Sequence, residues 1–273
     1  MNKYEVLLEE LGINRKEEIS NLLKNESYPE GYNPIPKFEK EMNRKTELIR
    51  LLKKKGFIEN DLSKNNVVEI GGGTCSTGAA FAREANAVIS FELEKVHCLY
   101  AKRCKEHFEI DNLGVLMGSI MDIAGHKLYS VKENVADTVV SHQGMFRYTI
   151  LEMLDGITKL LRPGGEFIFL YPRFWTDPDQ LNPTDTKLLN RALDNNSEWW
   201  DFNKEFEKEL EKQDLKVEFK GVLEGYPTIP IGGDVILGSR IASSKEDYFS
   251  NPIDGISFGK TPITCNTVIC TME

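Results

Sequence analysis

Residues 66–101 constrain the fold of this chain more than any other segment, because strand, glycine turn, helix, strand and acid follow one another there. The mostly apolar run 67–70 ends in three consecutive glycines, and an alanine-rich stretch follows them. A second mostly apolar run, 88–91, is closed by Glu92. Such a unit is typical of a parallel sheet that binds a nucleotide-type ligand at its edge, where the acid accepts the hydroxyls of a ribose.

Two glycine patterns fit this turn to different degrees. The dinucleotide-binding fingerprint is Gly-x-Gly-x-x-Gly or Ala, but its third small residue would be Ser76 here. The other pattern, an acid followed by Gly-x-Gly, is met by Glu69, Gly71 and Gly73. In both patterns glycine lets the backbone come close to the ligand, since a Cβ would collide with it. A nicotinamide-dependent oxidoreductase therefore stays as an alternative that Ser76 counts against.

The acid that ends the second strand extends the second pattern. With Glu92, and with Ala101 nine residues after it, the region resembles the class I S-adenosylmethionine-dependent methyltransferases. Their first motif reads roughly E/D-x-G-x-G-x-G, and Cys75 stands here in place of the third glycine, with Gly78 three residues later. The sequence Leu-Arg-Pro-Gly-Gly at 161–165 is frequent in that family before its fifth strand and is not expected in a dehydrogenase.

The resemblance implies an α/β fold with a seven-stranded, mostly parallel, doubly wound sheet whose last strand is antiparallel. Apolar spacing before residue 59 predicts N-terminal helices in addition, and two insertions beyond the family scaffold are expected to form a cap. Apolar runs fill the seven strand positions, and these predicted strands are 67–70, 88–91, 113–117, 136–141, 166–171, 216–220 and 267–272. Further helices are predicted before residue 25, from Pro36 to Gly56, at 77–85, at 151–161 and at 203–213.

A chain of 273 residues is long enough for one large domain or for a domain plus a cap. We expect an N-terminal helical segment or lid at 1–58 and an S-adenosylmethionine-binding domain at 59–273, with insertions at about 172–201 and 225–264. The insertions either form a lid over the acceptor, extend the core, or mediate homodimerisation.

The cofactor implied by the resemblance is S-adenosyl-L-methionine. The residues assigned to it are Glu69, Gly71, Gly72, Gly73, Glu92, Leu93, Ser119, Ile120, Met121 and Ser141. In the family the turn after the third strand commonly carries Gly-Asp, whose acid meets the adenine amino group. Ser119 occupies that place here and Asp122 lies three residues further on, so either residue could make the contact. Ile120 and Met121 would supply an apolar face for the ring.

Catalytic and acceptor-binding candidates lie after the fourth strand and in the loops. His142 is the candidate base, since an unperturbed imidazole titrates near neutral pH; alternatively it caps the strand or hydrogen-bonds the cofactor or the backbone. Arg147 would pair with a carboxylate or phosphate of the acceptor, or form a surface ion pair. Trp175 would line an aromatic or cationic pocket, or lie in the core. The candidates for acceptor binding are Tyr28, Tyr32, Arg147, Tyr171 and Trp175.

Charge and local sequence favour a small-molecule acceptor. The formal charge is −9 and the isoelectric point about 5.2, so a nucleic-acid partner would need a local basic patch, and none is evident. Amino-methylating enzymes of the family often carry Asn/Asp/Ser-Pro-Pro-Tyr/Phe after the fourth strand, whereas residues 141–144 are Ser-His-Gln-Gly. We therefore predict no nucleic-acid partner, and an oxygen, nitrogen, sulfur or carbon acceptor atom all remain open.

The remaining features predict a cytoplasmic protein. The first 20 residues are charged throughout and no apolar run reaches membrane length, which predicts neither a signal peptide nor a membrane partner. The five cysteines include no Cys-x-x-Cys pair, as expected for reduced thiols. Cys98, Cys104 and His107 follow a helical pattern without paired ligand spacing, so no metal is expected. A non-catalytic S-adenosylmethionine-binding module remains a further alternative.

Overall fold

The computed structural model describes seven stretches of the chain, which are 3–12, 33–118, 133–142, 150–172, 210, 212–222 and 265–272. Several predicted features lie outside them. These are residues 13–25 of the predicted N-terminal helical stretch, most of the loop at 26–36 that carries Tyr28 and Tyr32, most of the helix at 203–213 and both insertions apart from Pro172.

Helices and strands follow one another along the described residues in the order that the sequence predicts. The helices are α1 Lys3–Glu10, α2 Ile35–Lys54, α3 Ser76–Ala82, α4 Lys95–His107 and α5 Ile150–Leu160. The strands are β1 Asn66–Ile70, β2 Ala87–Glu92, β3 Leu113–Met117, β4 Ala136–His142, β5 Leu161–Pro172, β6 Leu215–Val222 and β7 Cys265–Met272.

The strands form one seven-stranded sheet of order β3-β2-β1-β4-β5-β7-β6. β1 pairs in parallel with both β2 and β4, and the pairs β2–β3 and β4–β5 are also parallel. The last strand, β7, is antiparallel, so the predicted sheet is confirmed. Because the strand order reverses at β1, the carboxyl ends of β1 and β4 flank the crevice where open α/β sheets bind ligands.

Both faces of the sheet are covered by helices near β1 to β3. The Cβ position of Gly78 in α3 lies 3.3 Å from Leu113 Cδ1, while that of Gly114 lies 3.0 Å from Tyr4 Cδ2 in α1. Successive residues of a strand point to opposite faces, so α1 and α3 cover opposite sides of β3. Two-sided coverage explains why β1 and β2 are buried at every position.

The long N-terminal helix α2 packs on the same side as α3. Its predicted apolar stripe, Phe38, Met42, Ile49 and Leu52, is buried. Lys45 shares that buried stripe.

The fifth strand begins at Leu161, five residues before the predicted start. Leu161 pairs with Ala136, but regular pairing resumes only between Thr138 and Glu166, so that 162–165 form a bulge. The Pro-Gly-Gly sequence lies in this bulge, where proline offers no N–H to the ladder and a glycine takes a φ of 79°. The predicted turn is therefore correctly placed, but the strand extends beyond it.

The chain divides into two compact units. The first comprises Met1–Leu170, Glu209–Lys220 and Val268–Glu273, and the second comprises Tyr171–Lys208 and Gly221–Thr267. The N-terminal segment predicted at 1–58 belongs to the first unit. Nearly all of the second unit lies outside the described residues.

Candidate active site

The glycine turn after β1 follows a left-handed path. Gly71 and Gly73 have φ values of 65° and 56°, and Cys75 has a φ of 60°. Cys75 stands where the resembling family has its third glycine, and it keeps the left-handed conformation at a strain of roughly 1–2 kcal/mol. The Gly72 amide donates to Phe91 O at 3.0 Å and joins the turn to the end of β2. The departure from the family pattern therefore leaves the left-handed turn in place.

Glu92, at the carboxyl end of β2, is held beside this turn by two backbone amides. Its Oε2 accepts a hydrogen bond of 2.6 Å from Gly73 N, and its Oε1 accepts one of 2.8 Å from Glu94 N. An ionised carboxylate offers about four acceptor positions, so it can take further donors such as the two hydroxyls of a ribose. The side chain is thus oriented in advance for that role.

The charge state of Glu92 follows from its contacts. Burial raises the pKa of Glu92, but the hydrogen bond with His97 and those from the Glu94 and Gly73 amides outweigh burial, so the pKa lies below its ordinary value. The carboxylate is therefore ionised near neutral pH. The next residue, Leu93, is 40% exposed and places an apolar side chain at the same edge.

Glu69 lies beneath the turn and is only 2% exposed. Its Oε2 accepts a hydrogen bond from the Ser90 hydroxyl of the neighbouring strand. A Cβ added at Gly72 would lie 2.9 Å from the same oxygen, so Glu69 directly underlies the glycine turn. Burial raises the pKa of Glu69 to about 7, although hydrogen bonds from Ser90 and Gly78 act in the opposite direction.

The end of β4 joins the site through two consecutive residues. Ser141 is fully buried and its hydroxyl donates to Ile70 O at 3.1 Å, which ties β4 to the end of β1. Val140 pairs with Glu69, so His142 lies two residues further on and on the same face as Glu69.

His142 contacts the N-terminal helix. Its Nε2 lies 2.6 Å from Lys45 Nζ. Burial, followed by the charges of Lys45 and Arg44, holds the pKa of His142 well below its ordinary value. The imidazole is therefore neutral at physiological pH.

The structure brings most of the described candidates to one edge of the sheet. The glycine turn, Glu92, Leu93, Ser141 and His142 all lie at or directly after the carboxyl ends of β1, β2 and β4. Tyr171 belongs to β5, but its side chain is outside the described part. The candidates that fall wholly outside it are Ser119, Ile120, Met121, Tyr28, Tyr32, Arg147 and Trp175.

Two contact residues were missed by sequence reasoning. Ser90 is the one polar residue inside the buried run 88–91 and binds Glu69. Lys45 falls between Met42 and Ile49 on the apolar stripe of α2. A polar residue at a buried position needs a hydrogen-bonding partner, and this was the available signal in both cases.

The described residues hold neither a metal cluster nor a membrane span. Within them, no group of three or more His, Cys, Asp and Glu side chains could hold a metal ion. No helix in the same stretches is long and apolar enough to cross a membrane.

This strand order, with a left-handed glycine turn after β1 and an oriented acid after β2, is that of the class I Rossmann-like methyltransferase fold. No protein-family model matches the chain, and no curated protein matches its sequence. Solved structures do match it. One is the geranyl diphosphate C-methyltransferase of Streptomyces coelicolor A3(2), 10% identical with a TM-score of 0.54 over 90% of this chain and 86% of that chain.

Two further structures support the same assignment. A SAM-dependent methyltransferase from Aquifex aeolicus is 13% identical, with a TM-score of 0.52 over 89% of this chain and 100% of that chain. The YcgJ protein of Bacillus subtilis is 14% identical, with a TM-score of 0.52 over 84% of this chain and 97% of that chain. At these identities the likeness establishes the fold: the chain has the class I methyltransferase fold.

Proposed function

We propose that this chain is an S-adenosylmethionine-dependent methyltransferase that acts on a small-molecule acceptor. The observation that carries the proposal is the Glu92 carboxylate, held by the Gly73 and Glu94 amides at 2.6 and 2.8 Å beside a left-handed glycine turn. An ionised acceptor beside a backbone that a ligand can approach closely suits a ribose attached to a larger group.

The cofactor would lie across the carboxyl ends of β1 and β2. Glu92 would accept hydrogen bonds from the two ribose hydroxyls, Leu93 would contact the adenine ring, and the glycine turn would lie against the methionine end. Ser119, Ile120 and Met121 are proposed to complete the adenine pocket. Structures that share the fold were solved with S-adenosyl-L-homocysteine, sinefungin or SAM, which supports this choice of cofactor.

Bound S-adenosylmethionine supplies a methyl group on a sulfonium, which the acceptor's lone pair attacks as the carbon–sulfur bond breaks. The protein mainly aligns the two reactants and excludes water. Glu69 supports the glycine turn from below, and Ser141 fixes the end of β4 against β1 by its bond to Ile70 O. His142 then lies at the acceptor side of the cofactor. Tyr28, Tyr32, Arg147, Tyr171 and Trp175 are proposed to contact the acceptor.

A small molecule suits this site better than a nucleic acid. The formal charge of −9 repels a polyphosphate chain, and residues 141–144 depart from the sequence of the amino-methylating enzymes. The geranyl diphosphate methyltransferases among the structural neighbours act on a small molecule. Cys75, Cys98, Cys104 and Cys270 are free thiols, which supports a reducing, cytoplasmic location.

Calorimetry with S-adenosylmethionine, S-adenosylhomocysteine and NAD in parallel tests the cofactor. We expect the first two to bind and NAD to give no signal. Binding of NAD alone would overturn the proposal in favour of an oxidoreductase. Methyl-labelled S-adenosylmethionine is then offered with pools of amines, hydroxy acids, thiols and isoprenoid diphosphates. Binding without transfer to any pool would support a non-catalytic module.

A further inference from the structure

The N-terminal helix α2 places a buried ammonium against the histidine of the site. Lys45 is only 2% exposed, although lysine is seldom buried. Its Nζ lies 2.6 Å from Nε2 of His142, a residue 97 positions further along the chain. This contact joins α2 directly to the carboxyl end of β4.

The contact decides which nitrogen of His142 carries the proton. A lysine ammonium has three N–H donors and no acceptor, so His142 Nε2 must be the acceptor of this bond. A neutral imidazole that accepts at Nε2 carries its hydrogen on Nδ1. A base acting through Nδ1 would need a lone pair there, and this tautomer has none.

The charges around the imidazole oppose a second proton. From α2 it faces Lys45 and Arg44, whose guanidinium is paired with Glu41 at 2.8 Å. From β1, Glu69 lies on the same face of the sheet and interacts with Lys45. Burial and the two cations hold the pKa of His142 well below its ordinary value, whereas Glu69, itself buried, reaches about 7.

We propose that Lys45 is a positioning residue that fixes His142 as an Nδ1–H hydrogen-bond donor, so that His142 does not remove a proton from the acceptor. The inference rests on the proposed methyl transfer, and it means that the acceptor loses its proton without the help of His142.

Nitrogen-15 NMR of histidine-labelled protein tests the tautomer without any ligand. The His142 signals are identified by their loss in His142→Asn. We expect a protonated Nδ1 and an unprotonated Nε2 in the wild type from pH 6 to 8. Lys45→Met keeps an unbranched side chain on the apolar stripe and should lose the preference for the Nδ1–H tautomer, whereas Lys45→Arg should retain it. Lys40→Met, at an exposed position of the same helix, is the matched control.

A wild-type His142 with its proton on Nε2 would overturn the inference. The same tautomer in Lys45→Met and wild type would show that Lys45 does not set the tautomer of His142. Circular dichroism establishes that the variants are folded. Because these spectra need neither cofactor nor acceptor, they decide the inference even if the proposed methyl transfer fails.

Transfer rates provide the second test once an acceptor is known. Because His142 removes no proton in this proposal, His142→Asn and His142→Ala should each lose no more than about tenfold in kcat, as expected for one hydrogen bond. The wild-type rate should show no acid limb from His142 between pH 6 and 8, because a group that removes no proton from the acceptor leaves none. Equal losses of 10²-fold or more in both His142 variants would instead identify a general base.

Discussion

Gly78 of α3 lies so close to Glu69 that a Cβ on the glycine would come within 2.6 Å of Oε2 of the carboxyl group. The same Cβ would lie 2.5 Å from Ser90 Oγ, which donates to that oxygen. The helix after the glycine turn therefore packs directly on a buried hydrogen bond between β1 and β2. Glycine is required here for close packing, since Gly78 sits inside a helix and not at a turn.

Gly78→Ala tests this packing. Alanine favours a helix over glycine by about 1 kcal/mol, so a helix with room for a methyl group would gain stability. We expect a loss of about 1–3 kcal/mol instead, because the methyl group forces the helix away from the strands. Urea unfolding measures the difference. In a Ser90→Ala background the loss of stability caused by Gly78→Ala should be smaller. A Gly78→Ala variant as stable as wild type would show that the helix can shift to accommodate the methyl group.

Gly73→Ala separates ligand approach from protein packing. No protein atom lies within 4 Å of the added Cβ, and the φ of 56° imposes only backbone strain. Gly56 has a φ of 74° with the same open surroundings, so Gly56→Ala is the matched control. We expect both variants to lose about 1–2 kcal/mol of stability. Only Gly73→Ala should weaken S-adenosylhomocysteine binding, by tenfold or more in calorimetry. Equal affinities in the two variants would show that the ligand does not lie against the glycine turn.

Glu92→Gln removes the charged acceptor of the ribose hydroxyls. A hydrogen bond to a charged group contributes about 1.5–3 kcal/mol, so the affinity for S-adenosylhomocysteine should fall by roughly 10-fold to 150-fold. Glu106→Gln removes the same charge from an exposed position of α4 and should leave the affinity unchanged. An unaltered dissociation constant for Glu92→Gln, measured by calorimetry, would show that Glu92 does not hold the ribose.

Glu69 should make the protein less stable as the pH rises. Its pKa is raised from 4.5 to about 7 in the folded protein, so between these values the folded state binds more protons than the unfolded state. Stability from this group is complete below pH 4.5 and declines until about pH 7. The slope is about 1.4 kcal/mol per pH unit, and the decline is on the order of 3 kcal/mol in all.

Glu69→Gln should flatten this decline in urea unfolding measured from pH 4.5 to 8. Burial also raises the pKa of Glu166 to about 7, beside Thr138 in the opposite half of β4 from His142. Because Glu166 is less buried than Glu69, solvent weakens its effect, and Glu166→Gln should remove a smaller part of the same decline without changing cofactor affinity. A wild-type stability that rises between pH 5 and 7 would contradict the raised pKa of both groups.

The succession of strands and helices along the chain and the site edge were predictable because their signals are local. A buried parallel strand requires a nearly continuous apolar run, and a left-handed turn favours glycine, so residues 66–92 predict strand, turn, helix and strand from neighbours in sequence. The acid at position 92 follows the same short-range pattern. The bulge at 162–165 was not predicted, because it depends on how two separate strands come into register.

The sequence by itself determined the fold class, the glycine turn and the acids at positions 69 and 92, since each depends on residues within one βαβ unit. Only the tertiary structure showed that Glu69 is buried beneath the turn and that two backbone amides hold Glu92 beside it. It also brought Lys45 to His142, 97 positions away. A hydrogen bond between residues far apart in sequence depends on how helix and sheet pack, so their spacing along the chain does not predict it.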